Sequence, residues 1–227
     1  MGCDSPRPGR LVTLVRLGLA ADLVELSVAL ATAFLNDPMM VWIGGDRDDE
    51  ARRAAMAPGS FLPALQAGIR RGHTYSTADL GGAAIWSPPD TKIFDDIIGA
   101  MFGEAMSRHL GAEAIARTIE LGQLVSKHHP YDVPHFYLFV LGTSTQGGSV
   151  GGELLLPVLH RCDADGLPAY LESSNSRNVG FYERHGFEVQ WEERPNDDGL
   201  LLRACGATPS AETSVAGMVT TSLVQRG

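Results

Sequence analysis

A chain of 227 residues, 44% apolar and 20% charged, is long enough for one globular domain with terminal extensions and too apolar for wholesale disorder. Its 18 basic and 27 acidic residues leave a net charge of −9 and no Lys/Arg cluster, which disfavours nucleic acid as a partner and weakly favours a cationic ligand. Cys3, Cys162 and Cys205 are too few and scattered for a disulfide framework or zinc site, and the most apolar stretch, 11–35, is interrupted by Arg16, Asp22 and Glu25, so the chain reads as cytoplasmic with no membrane partner.

Residues 1–10, with two prolines and two glycines, read as a flexible arm, and 11–17 as a strand. Leu23, Leu26, Leu30, Ala33 and Phe34 fall at helical spacing, so 21–36 reads as a helix stopped by Asp37-Pro38. An apolar turn is expected over 39–45, then a helix over 49–71 broken near Pro58-Gly59. Short strands at 73–76 and 82–86 flank Asp79-Leu80-Gly81, a hairpin signal. Residues 91–129 have helical periodicity, with Gly103 and Gly111 as expected breaks. The run HFYLFVL at 135–141 is expected to be a strand buried on both faces. A helix over 150–163, a strand over 167–172, a short helix over 178–185 closed by Gly186, and strands at 187–191 and 200–204 follow. From 206 the composition of Ala, Gly, Ser and Thr suggests a flexible tail to 227, leaving a single domain over 11–205. The order predicts an α+β domain, in which 135–172 forms a right-handed βαβ unit with a parallel strand pair.

The turn between that strand and helix contains Gln146, Gly147, Gly148, Ser149, Val150 and Gly151. Glycines let a backbone approach a ligand closely, and the first amides of a helix have no intrahelical partner, so the turn suits a pyrophosphate. The same features also fit a plain flexible connection. The turn is not a Walker loop, because no Lys-Ser/Thr follows the glycines, and it does not match G-x-G-x-x-G. Downstream, Asn178 and Tyr182 are four apart and so share one helical face, near the carboxyl ends of the parallel strands, where open sheets bind ligands.

The Gln-Gly turn, Leu156-Pro157, the segment LPAYLESS at 167–174 and Arg177-Asn178 through Phe181-Tyr182-Glu183-Arg184 to Gly186-Phe187 resemble the GNAT (GCN5-related N-acetyltransferase) superfamily, and more closely the branch typified by puromycin N-acetyltransferase. Ala33-Phe34 with Asp37-Pro38, and AAIWSP at 83–88, are similar to the family's first helix, acceptor loop and middle hairpin. The resemblance implies a central mixed twisted sheet with a splayed parallel pair and helices on both faces. It also implies direct transfer of an acetyl group from acetyl-CoA, without a metal, to a primary amine of a small molecule of the antibiotic or aminonucleoside kind, by a monomer or homodimer. Phe139, Val140 and Leu141 would pair with the pantetheine arm, residues 146–151 would hold the pyrophosphate, and Asn178 and Phe181 would flank the cofactor. Tyr182 would protonate the departing sulfur. Two departures from the family pattern are Ser149 in place of a usual glycine and a stretch from Leu141 to Gln146 that is about two residues short. The alternative is a protein of this fold that binds acyl-CoA or a metabolite without acetylating, or one that uses another acyl donor.

Further side chains invite a role. His128, His129 and His135 precede the central strand, and a His suits a base near pH 7; His135 is the candidate, although a His at a strand start also serves as a satisfied polar residue. Glu172 reads either as a buried, hydrogen-bonded carboxylate or as an anion in the acceptor site. Met39, Met40 and Trp42 suit an acceptor pocket or core packing. His128-His129 lacks a third ligand at metal spacing, and Cys162 reads as structural.

Overall fold

The computed structural model describes residues 14–45, 58–91, 96–145, 149–197 and 199–210. Expectations for the arm, most of the tail, much of the 49–71 helix and the turn residues Gln146, Gly147 and Gly148 lie outside them. The elements are β1 (Val15–Leu17), α1 (Leu23–Phe34), α2 (Pro38–Gly44), α3 (Leu62–Arg70), β2 (Thr74–Thr77), β3 (Gly82–Ser87) and α4 (Asp96–His128). Then come β4 (Phe136–Thr143), α5 (Val150–Asp165), β5 (Ala169–Ser173), α6 (Val179–Glu183), β6 (Phe187–Glu193) and β7 (Leu202–Ala207). Together they form an α+β fold on one mixed seven-stranded sheet, ordered β1-β2-β3-β4-β5-β7-β6. Only β4 and β5 pair in parallel, as the βαβ reading requires; the other neighbours are antiparallel.

Local chemistry accounts for most boundaries and for two departures from expectation. Residues 39–44 are helical and not a turn, because Asp37 caps α2 by accepting from the Met39 amide at 3.0 Å and Pro38 occupies the first helical position. The backbone of α4 runs through Gly103 but breaks at Gly111, whose φ of 73° is open to glycine alone at little strain. The β2–β3 hairpin turns where Asp79 accepts from the Gly81 amide at 3.0 Å. At the carboxyl end β7 continues through Gly206 and Ala207.

The central strand is less completely buried than expected. Its residues alternate between buried and half-buried, and the half-buried Tyr137, Phe139 and Leu141 border a cavity. Between Ile85↔Val140 and Trp86↔Leu138 the β3–β4 register slips, making Phe139 an extra residue on β4, a β-bulge. The bulge reverses the facing of the strand. Phe136 and Leu138 pack with α5 residues Leu154, Leu155 and Val158, whereas Val140 packs with Leu30 of α1 and Leu121 of α4. Helices therefore cover both faces. α1 comes so close at Gly142 that a Cβ there would meet Leu30 and Phe34 at 2.9 Å.

Candidate active site

The parallel register of β4 and β5 covers only Phe136–Leu138 against Ala169–Leu171, although both strands continue. The residues that follow line a cavity of about 700 Å³: Phe139 and Leu141 from β4, Glu172 and Ser173 from β5, then Ser174, Asn178 and Tyr182. The four-residue spacing of Asn178 and Tyr182 thus brings both to one cavity. Tyr182 is 7% exposed and packs edge-on against Phe181 and Phe187. Burial raises its pKa above the usual phenol value, helped by Cys205 and Asp37, so its proton stays in place through the neutral range. Asn178 occupies the position before α6, but its side chain makes no capping hydrogen bond. Asn175 caps the preceding turn instead, accepting from the Arg177 amide at 3.1 Å.

The amino end of α5 approaches the same region through Phe181, whose ring a Cβ on Gly151 would meet at 3.2 Å. The first-turn amides of Val150, Gly151 and Gly152 lack intrahelical acceptors by the geometry of any helix start. Ser149 precedes them at φ −76°, an ordinary right-handed conformation, so its Cβ imposes no backbone strain. Its hydroxyl does not cap the helix. Short of the three undescribed residues, the donor set fits a pyrophosphate: a helix start with glycines behind it and no carboxylate until Glu153.

The other end of the cavity is assembled from distant segments. Asp37, Met39, Met40 and Ile43 come from the α1–α2 region, Pro88, Asp90 and Thr91 follow β3, and α4 presents one face through Thr118, Leu121, Gly122 and Val125, with His129 just past its end. Trp42 is not on this surface; Arg117 lies over its ring at 6.0 Å and donates to its carbonyl at 3.0 Å. Asp37 Oδ1 also accepts from Ser174 Oγ at 3.2 Å, tying the α1–α2 corner to the end of β5, and burial raises the Asp37 pKa. The described residues lining the cavity include Asp37, Asp90 and Glu172 and no Lys or Arg.

His135 and Glu172 are brought together through His129, another of the histidines ahead of the central strand. His135 Nδ1 lies 2.6 Å from the Val133 carbonyl, and its Nε2 lies 3.2 Å from His129 Nε2. His129 Nδ1 is 3.7 Å from Glu172 Oε1, which is buried without a hydrogen-bond partner. Burial holds the His135 pKa below the ordinary imidazole value, and drives that of Tyr137 well above the phenol range, reinforced by Glu172. Lys127 and His128 bind Glu193 of β6 at 2.8 and 2.6 Å, and Trp191 stacks on His128, so the end of α4 is clamped beside His129. Cys162 is inert as read, its thiol pushed up to about 12 by burial. The recurrence of α4 residues every three or four positions marked a helix face in the sequence, but gave no clue to what it faced.

Among the described residues no group of three or more His, Cys, Asp or Glu could hold a metal, and no single helix is long and apolar enough to cross a membrane. The sequence pattern of the acetyltransferase (GNAT) domain matches residues 87–203. An uncharacterized N-acetyltransferase of Schizosaccharomyces pombe is 28% identical over 183 residues, 75% of this chain and 72% of the relative. The fold is similar to the crystal structure of the histone acetyltransferase HPA2 and related acetyltransferase from Corynebacterium glutamicum, with a TM-score of 0.59 and 21% identity over 87% of this chain and 97% of that one. It is also similar to the Drosophila melanogaster polyamine N-acetyltransferase, described as forming N-acetylagmatine, with a TM-score of 0.52 and 16% identity over 87% and 100% of the two chains.

Proposed function

We propose, from the premise that this chain belongs to the GNAT acetyltransferase family and is an acetyl-transferring enzyme, that it acetylates the primary amine of a small molecule with acetyl-CoA. One observation carries the reading: a single cavity runs from Asn178 and Tyr182 to Glu172 and His135, walled by apolar side chains and carboxylates and, among the described residues, by no Lys or Arg. A cavity of about 700 Å³ is sized for a small ligand, and its anionic groups favour an ammonium. Similar structures include enzymes whose names give agmatine, arylalkylamines and polyamines as substrates, and the aminonucleosides implied by the sequence resemblance are a further amine class.

In this reading the donor is held at the start of α5, by the amides of Ser149, Val150 and Gly151 at its phosphates, and along Phe139, Val140 and Leu141. Asn178 and Phe181 flank it. The neutral amine attacks the thioester carbonyl, a C–N bond forms and the C–S bond breaks. Tyr182 donates its proton to the departing sulfur. A phenol with a raised pKa serves here because a thiolate expelled into the same buried cavity is raised as well. No covalent enzyme intermediate is required. Titration of the protein with acetyl-CoA by calorimetry, followed by thiol release across agmatine, arylalkylamines, polyamines and aminonucleosides, tests the reading. Binding without release for any amine would favour an acyl-CoA-binding protein, and no binding would overturn both.

A further inference from the structure

With both rings neutral, the two imidazoles beside Glu172 have only one arrangement of protons that fits the contact between them. A carbonyl oxygen only accepts, so the 2.6 Å approach of His135 Nδ1 to the Val133 carbonyl puts a proton on Nδ1. Burial keeps the His135 ring neutral, so its Nε2 is an acceptor, and His129 Nε2, 3.2 Å away, must be the donor. A neutral His129 then has a bare Nδ1. That nitrogen stands 3.7 Å from Glu172 Oε1, too far for a hydrogen bond, and this same oxygen is buried with no partner. The cluster is therefore one proton short: adding it at His129 Nδ1 gives the orphaned oxygen a charged donor. The ring also stands nearly perpendicular to those of Tyr137 and Tyr170, with centroids at 4.9 and 5.2 Å, and tilted against Tyr131, which hold it in place. The hydroxyls of Tyr137 and Tyr170 also face the Glu172 carboxylate, leaving Oε1 as its unpartnered oxygen, and the other charges near it are the Lys127–His128–Glu193 group at the end of α4, which is internally paired.

We propose that His129 Nδ1, backed by Glu172, is the proton acceptor of the reaction, and that the substrate is consequently a strongly basic alkylammonium and not a weakly basic aromatic amine. The inference rests on the acetyl-transfer reading above. The ammonium gives one proton to His129 and becomes the nucleophile. Its second proton, shed as the amide forms, replaces the one that Tyr182 gives to sulfur, so ammonium, thioester and neutral His129 yield amide, thiol and an imidazolium, with Tyr182 again protonated. Both ring nitrogens of His135 are engaged, by the Val133 carbonyl and by His129, so it is a positioning residue that fixes which nitrogen of His129 is bare.

Two measurements test this. In the full chain labelled with ¹⁵N-histidine, ring-nitrogen spectra at pH 8 should show the proton of His135 on Nδ1 and that of His129 on Nε2; a His129 protonated on Nδ1 overturns the proposal. Kinetically, His129→Gln at pH 7 should lower kcat/KM for phenethylamine by about 10²–10³-fold, with the loss shrinking about tenfold per pH unit as free amine accumulates. Aniline, which needs no base to become neutral, should lose less than about fivefold. Glu172→Gln should show the same pH-dependent loss in weaker form. Equal losses for both amines, or a loss independent of pH, would overturn it; retained acetyl-CoA affinity reports that each variant is folded. Should the native protein acetylate no amine at all, the acetyl-transfer reading falls, while the nitrogen spectrum still decides where the cluster accepts its proton.

Discussion

The two ends of the cavity are built in opposite ways. The end proposed for the acyl donor comes from one stretch of chain, 136–187, in which strand, turn, helix, strand and short helix follow one another. The end proposed for the amine takes Asp37 to Ile43, Pro88 to Thr91, one face of α4, and His135 beside Glu172, so groups up to 137 positions apart touch, as Asp37 and Ser174 do. A contiguous unit preserves spacing whatever surrounds it. A dispersed one holds its geometry only through packing and a few polar ties, such as Asp37 to Ser174 and the end of α4 to Glu193. Donor recognition should therefore yield to point changes in one segment, while the amine end is free to vary.

Substitutions ranked by expected effect sharpen that contrast. Tyr182→Phe stands at the junction of the two ends: it should lower kcat by about 10²–10⁴-fold while leaving acetyl-CoA affinity nearly unchanged, because the buried ring still packs on Phe181 and Phe187. Single-turnover kinetics check this, and a wild-type kcat would make Tyr182 a core aromatic. Gly151→Asp should weaken acetyl-CoA binding by at least about 100-fold in calorimetry, through like-charge repulsion of the phosphates and crowding against Phe181. The helix should survive, since a carboxylate in its first turn opposes the dipole. Asn178→Ala should weaken acetyl-CoA by about tenfold, one hydrogen bond, with no change in melting temperature, because the side chain caps nothing. A drop in stability would assign it to the fold.

The smallest effect lies at the amine end. Burial depresses the His135 pKa, so the unfolded chain binds more protons than the folded one between the folded value and the ordinary imidazole value of about 6.5. Stability is thus fully present above that ordinary value and declines as pH falls through the window below it. Melting curves at pH 7.5 and 5.5 should differ by about 1–3 °C more in the native protein than in His135→Gln. An equal pH response would mean that His135 carries no such penalty in the folded state.

Much of the donor end was legible in the sequence because its signals are local. Helical spacing put Asn178 and Tyr182 on one face, the βαβ order required a parallel pair, and the GNAT resemblance was strongest over these residues. Even here the role of Ser149 depended on its backbone angle, which the residue type does not state. The Asp37-Pro38 pair was visible too, though as a helix stop; the same cap and proline chemistry in fact starts α2. The bulge at Phe139 was not legible, because one strand alone does not show the register of its partner.

What the sequence determined by itself is whatever acts over a few residues: periodicity, caps, turns and a helix start beside a glycine-rich turn. Only the tertiary structure decided which face of α4 borders the cavity, that Trp42 packs under Arg117 instead of lining the pocket, and that His129 stands between His135 and Glu172. Those facts depend on how a sheet register and several packed helices converge. A histidine's chemistry is set by the groups its two nitrogens meet, and at His129 both come from other elements.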